Sequence, residues 1–265
     1  MATRALSRST RAPAKQIRSF VVHPSLKGLN TRFGATILPP EWLTIARNVD
    51  YRQTGVREKR GGAVKHTTTA VTPTGNDDIS ALYDAHRGEA LSSTQRLVCY
   101  AGDSLFQKTA AATAFTSLKT GLEQNKVSWF ITFDGLLIWA SNSNTDVPQE
   151  WDFTGAIANL QGTPPNFAFG AVHKARLFVA GVNTNPSRLY WCASDDPQDW
   201  TTPSNAGNQD IDHGDGDTLM GMASFRRADN DALYLFKGPH KGLIERFTGS
   251  GPSDFARQVV MRGLP

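Results

Sequence analysis

The sequence predicts an all-β protein made of antiparallel sheets in repeats of roughly fifty residues, preceded by an extended basic N-terminal arm. Three observations predict this fold class. Short apolar runs recur along the chain and end at glycine or at turn residues. The 265 residues include 23 glycines and 14 prolines, which favour turns. Eighteen Asp stand against six Glu, and Asp favours turns where Glu favours helices.

The repeat is visible first in two tryptophan-containing stretches. Leu137–Ser141 is followed by Asp146–Asp152, and the similar run Leu189–Ser194 is followed by Asp196–Trp200. Trp139 and Trp191 are 52 positions apart, and Trp151 and Trp200 are 49 apart. This spacing predicts that each pair occupies equivalent core positions in successive repeats, although the four indoles could also form a platform for stacking carbohydrate.

A second strand signature is an aromatic or β-branched run that ends in glycine. It occurs at Arg96–Gly102 and Arg176–Gly181, and more faintly at Ala232–Gly238. Turn residues such as Phe133–Gly135 lie between such runs at intervals suited to hairpins.

A unit of about fifty residues with four short strands has the size of one β-propeller blade. Residues 67–265 have room for roughly four such units, near the lower limit for a closed ring. We therefore expect a propeller-like body whose ring is incomplete or open, or is completed by another chain. A β-sandwich with an accidental repeat is the alternative.

Charge divides the chain into three parts: a basic arm at 1–24, a docking segment at 25–66 and the β body at 67–265. Residues 1–66 contain thirteen Lys or Arg against three Asp or Glu, a balance of +10, whereas residues 67–265 have a balance of −6. A basic head on an acidic body can bind an acidic partner surface or nucleic-acid phosphates. The first twenty residues also have the composition of an organelle transit peptide.

The candidate partner-binding residues are the basic side chains of the first two parts. An arm that orders on a neighbouring subunit would use the first five, and a glycine-flanked loop would use the other four. They are Arg4, Arg8, Arg11, Lys15, Arg18, Arg52, Arg57, Lys59 and Arg60.

The common catalytic and phosphate-binding motifs are absent, so we expect no enzyme, no catalytic residues and no cofactor. One loop could bind calcium, because Asp210, Asp212, Asp215 and Asp217 lie within eight positions that also contain two glycines. The alternative is a tight turn that leads into the next strand. Cys99 and Cys192 lie in apolar runs and are expected to be buried free thiols. No apolar run is long enough to insert into a membrane.

A series of short motifs follows the chain from about residue 25 onward. They are Leu26–Arg32, Leu38–Trp42, Ala46–Tyr51, Gly55–Gly62, Gly121–Leu122, Gly162–Pro165, His173–Gly181, Pro186–Tyr190, Asp196–Trp200 and Gly214–Asp217. Their order and spacing resemble β-propeller-type virion proteins of tailed bacteriophages. These include the tail nozzle and tail-tube-associated components of short-tailed phages, which are usually much longer than this chain.

The resemblance implies a non-enzymatic structural protein of the tail or head-to-tail region, assembled as a homo-oligomeric ring that lines or seals the DNA exit channel. Its partners would be portal, adaptor or tail proteins, with genomic DNA passing transiently. The protein would be found in the virion, at the tail or portal vertex, and in the host cytoplasm during assembly. An acidic body suits such a channel because like charge repels phosphates.

Two other function classes remain open. A carbohydrate-binding or depolymerase-type propeller module for host-surface recognition predicts exposed tryptophans around a cleft with paired carboxylates. A nucleic-acid-binding protein predicts steep salt dependence of DNA binding by residues 1–66.

Overall fold

The computed structural model describes residues 49–50, 58–59, 66–75, 78–88, 94–143, 145–227 and 231–263. Within these ranges the chain forms strands, turns and loops, and no helix. The chain divides into two compact units, residues 1–65 and 66–265. In the first unit, β1 (Val49–Asp50) pairs antiparallel with β2 (Glu58–Lys59).

The second unit contains four antiparallel sheets of four strands, and in each sheet the strands are adjacent in chain order. The first sheet contains β3 (Ile79–Arg87), β4 (Thr94–Ala101), β5 (Ser104–Lys108) and β6 (Thr116–Lys119). The second contains β7 (Ser128–Phe133), β8 (Leu136–Ser141), β9 (Gln149–Trp151) and β10 (Ala158–Asn159). The third contains β11 (Phe169–His173), β12 (Arg176–Ala180), β13 (Arg188–Trp191) and β14 (Gly207–Asp210). The fourth contains β15 (Thr218–Phe225), β16 (Ala232–Gly238), β17 (Leu243–Thr248) and β18 (Ala256–Arg262).

The four sheets repeat with nearly the predicted period. Their first strands begin at residues 79, 128, 169 and 218, so successive sheets start 49, 41 and 49 residues apart. For the described residues, the prediction of an all-β protein of antiparallel sheets in repeated units is confirmed. Among the described residues the strands form separate four-stranded sheets rather than the two large sheets of a sandwich, and no closed ring of sheets is observed.

The glycine-terminated signature correctly predicts three strands. Its three occurrences fall on β4, β12 and β16, each of which is the second strand of its sheet. Second strands have neighbours on both sides within the sheet and pack on both faces, so they require long uninterrupted apolar runs.

The predicted equivalence of the tryptophans is wrong. Trp139 lies in β8, the second strand of its sheet, whereas Trp191 lies in β13, a third strand. Trp151 is in the third strand β9, and Trp200 lies in the loop between β13 and β14. Second and third strands are both buried between sheets and carry similar apolar runs, so the sequence pattern does not distinguish them.

Apolar clusters join each sheet to the next through opposite faces of the strands. Trp139 and Tyr100 pack between the first and second sheets, with ring centroids 5.5 Å apart. Ile138 faces the other way and packs with Leu177 between the second and third sheets. Phe178 packs with Phe247 between the third and fourth sheets. Because side chains alternate along a strand, one sheet contributes to two clusters.

The first strands of successive sheets are also in contact. β3 contacts β7, β7 contacts β11, and β11 contacts β15. A smaller cluster covers the opposite face of the first sheet, where Val71 and Phe115 pack on Cys99, Ala101 and Phe106. The body is therefore a series of four sheets joined through apolar clusters, with a local cover on part of its first face.

Two of the hairpins between first and second strands turn through two residues with positive φ. Asp134 and Gly135 have φ values of 47° and 72°, the conformation of a type I′ turn, as the Phe133–Gly135 signal predicts. Lys174 and Ala175 adopt the same left-handed region at 46° and 57° without a glycine, which costs about 1 kcal/mol at each position.

Replacing Trp139 with alanine should destabilise the body strongly. The side chain is fully buried between two sheets, so W139A removes a large apolar contact and leaves a cavity, at a cost of about 3–5 kcal/mol in the free energy of unfolding. Urea unfolding followed by tryptophan fluorescence and circular dichroism measures it. V127A is the matched control, because Val127 is 71% exposed and should change stability by less than about 0.5 kcal/mol. Equal effects of the two variants would contradict the packing described.

Candidate functional site

The aspartate-rich loop connects β14 of the third sheet to β15 of the fourth and includes residues 211–217. Two glycines in this loop, Gly214 and Gly216, have φ values of 86° and 88°, a conformation that other residues rarely adopt. The chain reverses sharply here, and the carboxylates at positions 210, 212, 215 and 217 point to different partners.

A buried lysine binds the middle of this loop. The Lys237 side chain is fully buried, and its Nζ lies 2.9 Å and 3.0 Å from the two oxygens of Asp215. The same ammonium donates hydrogen bonds to the backbone carbonyls of Ile211 and Asp212 at 2.7 Å and 3.0 Å. Lys237 belongs to β16, so this ion pair attaches the loop between the sheets directly to the fourth sheet.

Asp217 binds backbone donors of the next hairpin. Its carboxylate accepts hydrogen bonds from the amide N–H groups of His240, Lys241 and Gly242 at 2.7, 2.9 and 3.1 Å. Burial raises the pKa of this carboxyl, but the three N–H donors outweigh burial and hold the pKa below its ordinary value. The Asp217 carboxylate is therefore ionised at neutral pH, and its oxygens bind backbone N–H groups of the protein.

The other two aspartates bind arginines. Asp210 makes a two-point pair with Arg188, with oxygen–nitrogen distances of 2.6 and 3.0 Å. Asp212 lies 2.6 Å from Arg257, which also binds the buried Glu245 at 2.8 Å. The hydrogen bonds that the Arg257 guanidinium donates to Glu245, and then to Asp212, raise its pKa despite its partial burial.

The four candidate calcium ligands are thus distributed among separate protein partners. Within the described ranges, no group of three or more His, Cys, Asp or Glu side chains is placed to hold a metal ion. This geometry favours the turn interpretation of the loop over a calcium site. Beside the loop lies an open groove of about 580 Å³, lined by residues that include Asp212, His240, Lys241 and Arg262.

Removing the Lys237 ammonium should destabilise the fourth sheet. K237M leaves the Asp215 carboxylate without its cation and two carbonyls without their donor, at a cost of about 3 kcal/mol. K241M is the control, because Lys241 is exposed and its side chain forms no described ion pair. Chemical denaturation measures both. A K237M protein as stable as K241M would show that the ion pair does not hold the loop.

A histidine, a serine and an aspartate meet where the third sheet contacts the fourth. His173 is 2% exposed, and its Nδ1 lies 3.0 Å from Ser224 Oγ and 3.8 Å from Asp231 Oδ1. Both partners face the same ring nitrogen, and the buried Nε2 has no hydrogen-bond partner among the described residues. A catalytic triad needs the serine on one nitrogen and the carboxylate on the other, so this trio does not match one.

Burial lowers the pKa of His173, and the nearby cations Lys174 and Arg226 lower it further, against the opposing effect of Asp231. The folded protein therefore binds a proton at this position less readily than the unfolded chain, whose histidines titrate near 6.5. The neutral ring contributes stability above that pH, and the contribution is lost as the pH falls below it.

The free energy of unfolding should therefore fall between about pH 7 and pH 5, and H173Q should reduce that dependence. Glutamine can still bind Ser224 but does not titrate. H213Q is the control, because His213 lies exposed in the aspartate-rich loop. Urea unfolding across this pH range measures the slope. An unchanged slope in H173Q, or an equal change in H213Q, would contradict the assignment.

The remaining sequence candidates fall into three groups. Trp139, Trp151 and Trp191 are 0%, 4% and 6% exposed, so they belong to the core and offer no stacking platform. Cys99 and Cys192 are buried and free, as predicted, and burial raises the pKa of their thiols to about 12 and about 11.

The basic partner-binding candidates lie outside the residues whose side chains the structure describes. For Lys59 only the backbone is described, in β2. The other eight, which lie in the arm and around the glycine-flanked loop, stay predictions. They are Arg4, Arg8, Arg11, Lys15, Arg18, Arg52, Arg57 and Arg60.

Sequence reasoning missed the roles of Lys237 and His173. One signal was available for each: Lys237 interrupts an apolar run, and His173 ends the apolar run Phe169–His173. A lone charged residue in an apolar run is often buried with a partner, but the partners here are 22 and 51 positions away. Only the packed sheets bring them together.

Comparison with known proteins adds no relative to this description. No protein-family model matches the chain, and no curated protein matches it. Along the described ranges there is also no helix long and apolar enough to cross a membrane.

Proposed function

We propose that the protein is a structural component of a tailed-phage particle, located in the tail or head-to-tail region. It assembles as a homo-oligomeric ring with portal, adaptor or tail proteins as neighbours, and it lines or seals the DNA exit channel. The observation that carries this proposal is the repeated design of the body: four sheets joined in series by apolar clusters, which makes a stiff element suited to a channel wall.

We also propose that the four sheets are the blades of an open, propeller-like array. In a propeller the first strand of every blade is innermost and contacts the first strand of the next. The contacts from β3 to β7, β7 to β11 and β11 to β15 follow that arrangement. The sheet sizes and strand order also agree with four-stranded blades.

Three of the four first strands have a composition that suits a passage for DNA, whereas β3 contains Asp84 and Arg87. β7, β11 and β15 contain no Asp, Glu, Lys or Arg. If these strands line the channel, its surface there is neutral rather than acidic as expected from the net charge. A neutral surface offers phosphates no ion pairs, so DNA would pass without being retained.

The carbohydrate-binding alternative is weaker in this structure. It requires exposed tryptophans, and three of the four repeated indoles are buried in the apolar clusters between sheets. Trp200 is half-buried, and its indole N–H donates to the Pro197 carbonyl at 2.7 Å within its own turn. No specific observation favours this alternative over the structural role.

The function is tested by a protein inventory of purified virions combined with the native mass of the isolated assembly. We expect the chain among the virion proteins and a mass that is a whole-number multiple of 28.9 kDa. Hydrolysis of host-surface polysaccharide by the purified protein, together with its absence from virions, would overturn the proposal in favour of a depolymerase.

Deleting residues 1–20 should weaken incorporation into particles and leave the body folded, because the five basic residues of this arm would bind neighbouring subunits. Quantitative mass spectrometry of particles made with the truncated chain measures incorporation, and circular dichroism measures folding. A control with the five basic residues changed to glutamine separates charge from length. Full incorporation of the truncated chain would show that the arm does not bind neighbouring subunits during assembly.

A further inference from the structure

The fourth sheet has one largely apolar face with exposed side chains. Leu233, Leu235 and Phe247 face the third sheet, so their neighbours along each strand face the opposite way. We call this opposite surface the far face. It contains two cross-strand rows, Gly221–Phe236–Ile244–Met261 and Ala223–Tyr234–Arg246–Gln258.

The far face is largely apolar and partly exposed. Phe236 is 38% exposed and Met261 is 47% exposed, and Phe225, which packs edge-on against Tyr234, is 45% exposed. Arg246 is the one charged residue in the two rows, and its buried Nε has no hydrogen-bond partner among the described residues. A contiguous apolar surface of this kind marks an interaction site.

A second exposed apolar surface lies on the first strand of the first sheet. Leu82 in β3 is 60% exposed and pairs across the strands with Cys99, which Val71 and Phe115 help to cover. Ile79 is 54% exposed and pairs with Ala101 in the same way. Within the described part of the chain, the cover therefore protects β4 and β5 but leaves β3 open on this side.

We propose that the far face of the fourth sheet docks on the open side of β3 in a second copy of this chain. The inference rests on the homo-oligomeric assembly in the proposed function and names the surfaces that make it. Each copy would present one surface of each kind, so the contact is head-to-tail and continues from copy to copy until a ring closes.

The contacts between sheets inside the chain indicate that a second copy of the chain binds the far face. Every sheet joins the next through an apolar cluster and a contact between first strands. Docking β15 of one copy beside β3 of the next repeats that arrangement across the boundary between copies. The open side of β3 is the part of the first sheet that such a contact uses.

Charge complementarity supports the same pairing. Asp84 lies in β3 two positions from Leu82, so it is on the same side of the strand, and its side chain is 54% exposed. Its described contacts there are with Gln95 and His86. In the proposed contact, the β3 surface that contains the Asp84 carboxylate thus meets the far face, which contains Arg246. The Nε of Arg246 has no hydrogen-bond partner among the described residues.

Disulfide cross-linking between two different variants tests the contact. L82C and A223C place thiols on the two first strands, and the native thiols are buried with raised pKa values, so they react slowly. We expect a disulfide-linked dimer when the two variants are mixed and oxidised, and much less dimer from either variant alone. The mixture of V127C with A223C is the control, because Val127 is 71% exposed.

Absence of dimer above the control would overturn the proposal. A single chain carrying both cysteines should form linked oligomers, and a monomer with an internal disulfide would also overturn it, because the far face would then close on its own first sheet.

A second variant provides a measurement that does not depend on cross-linking. F236E should raise the dissociation constant of the oligomer at least about tenfold, while V127E leaves it unchanged and both keep the parent's circular dichroism. An oligomer insensitive to F236E would contradict the proposal even if the protein is found in virions. Conversely, a sensitive oligomer that is absent from virions would refute the phage role and leave the contact supported.

Discussion

The structure depends on the burial of sheet faces against neighbouring sheets. A four-stranded sheet of this size has two apolar faces, and one sheet alone would leave both in water, where each large side chain forfeits about 1.5–3 kcal/mol. Ile138 and Trp139 show the arrangement, because adjacent residues of β8 fill clusters on opposite sides of the second sheet. Each sheet is therefore stable only beside others, and the last sheet in the series still has a face to bury.

Polar interactions also act at the joints between sheets. The loop from the third to the fourth sheet is attached by Lys237 through Asp215 and two carbonyls, and Asp217 binds the next hairpin. His173 and Ser224 meet at the same junction. Apolar clusters alone are compatible with some sliding of one sheet over another, and these directional contacts fix the relative position.

The parts of the fold that follow local rules were predictable from the sequence. Runs such as Arg176–Gly181 combine length, apolar character and a closing glycine, so they predict strands and the repeated units that contain them. The pairing of Trp139 with Trp191 failed because it matched residue types without strand position, and two buried strands of a sheet present the same pattern. The partners of the aspartates were unpredictable because they depend on packing between distant segments.

The carboxylates of the loop illustrate the same limit at the candidate site. Asp210, Asp212, Asp215 and Asp217 have the composition of a cation-binding loop, but they bind arginines and a lysine from the strands and backbone amides of the β16–β17 turn. Their spacing in the chain is typical of a sharp turn. Three of the carboxylates form ion pairs with Arg188, Lys237 and Arg257, which the spacing does not predict.

The central claim is that sheets of one design continue from copy to copy as they do within a chain. A three-dimensional reconstruction by electron cryomicroscopy of the oligomer formed by the full chain tests it most directly. We expect a ring in which β15 of one subunit lies beside β3 of the next, with Phe236 buried between them. A ring joined elsewhere with Phe236 in solvent, or a monomer with both surfaces exposed, would contradict it.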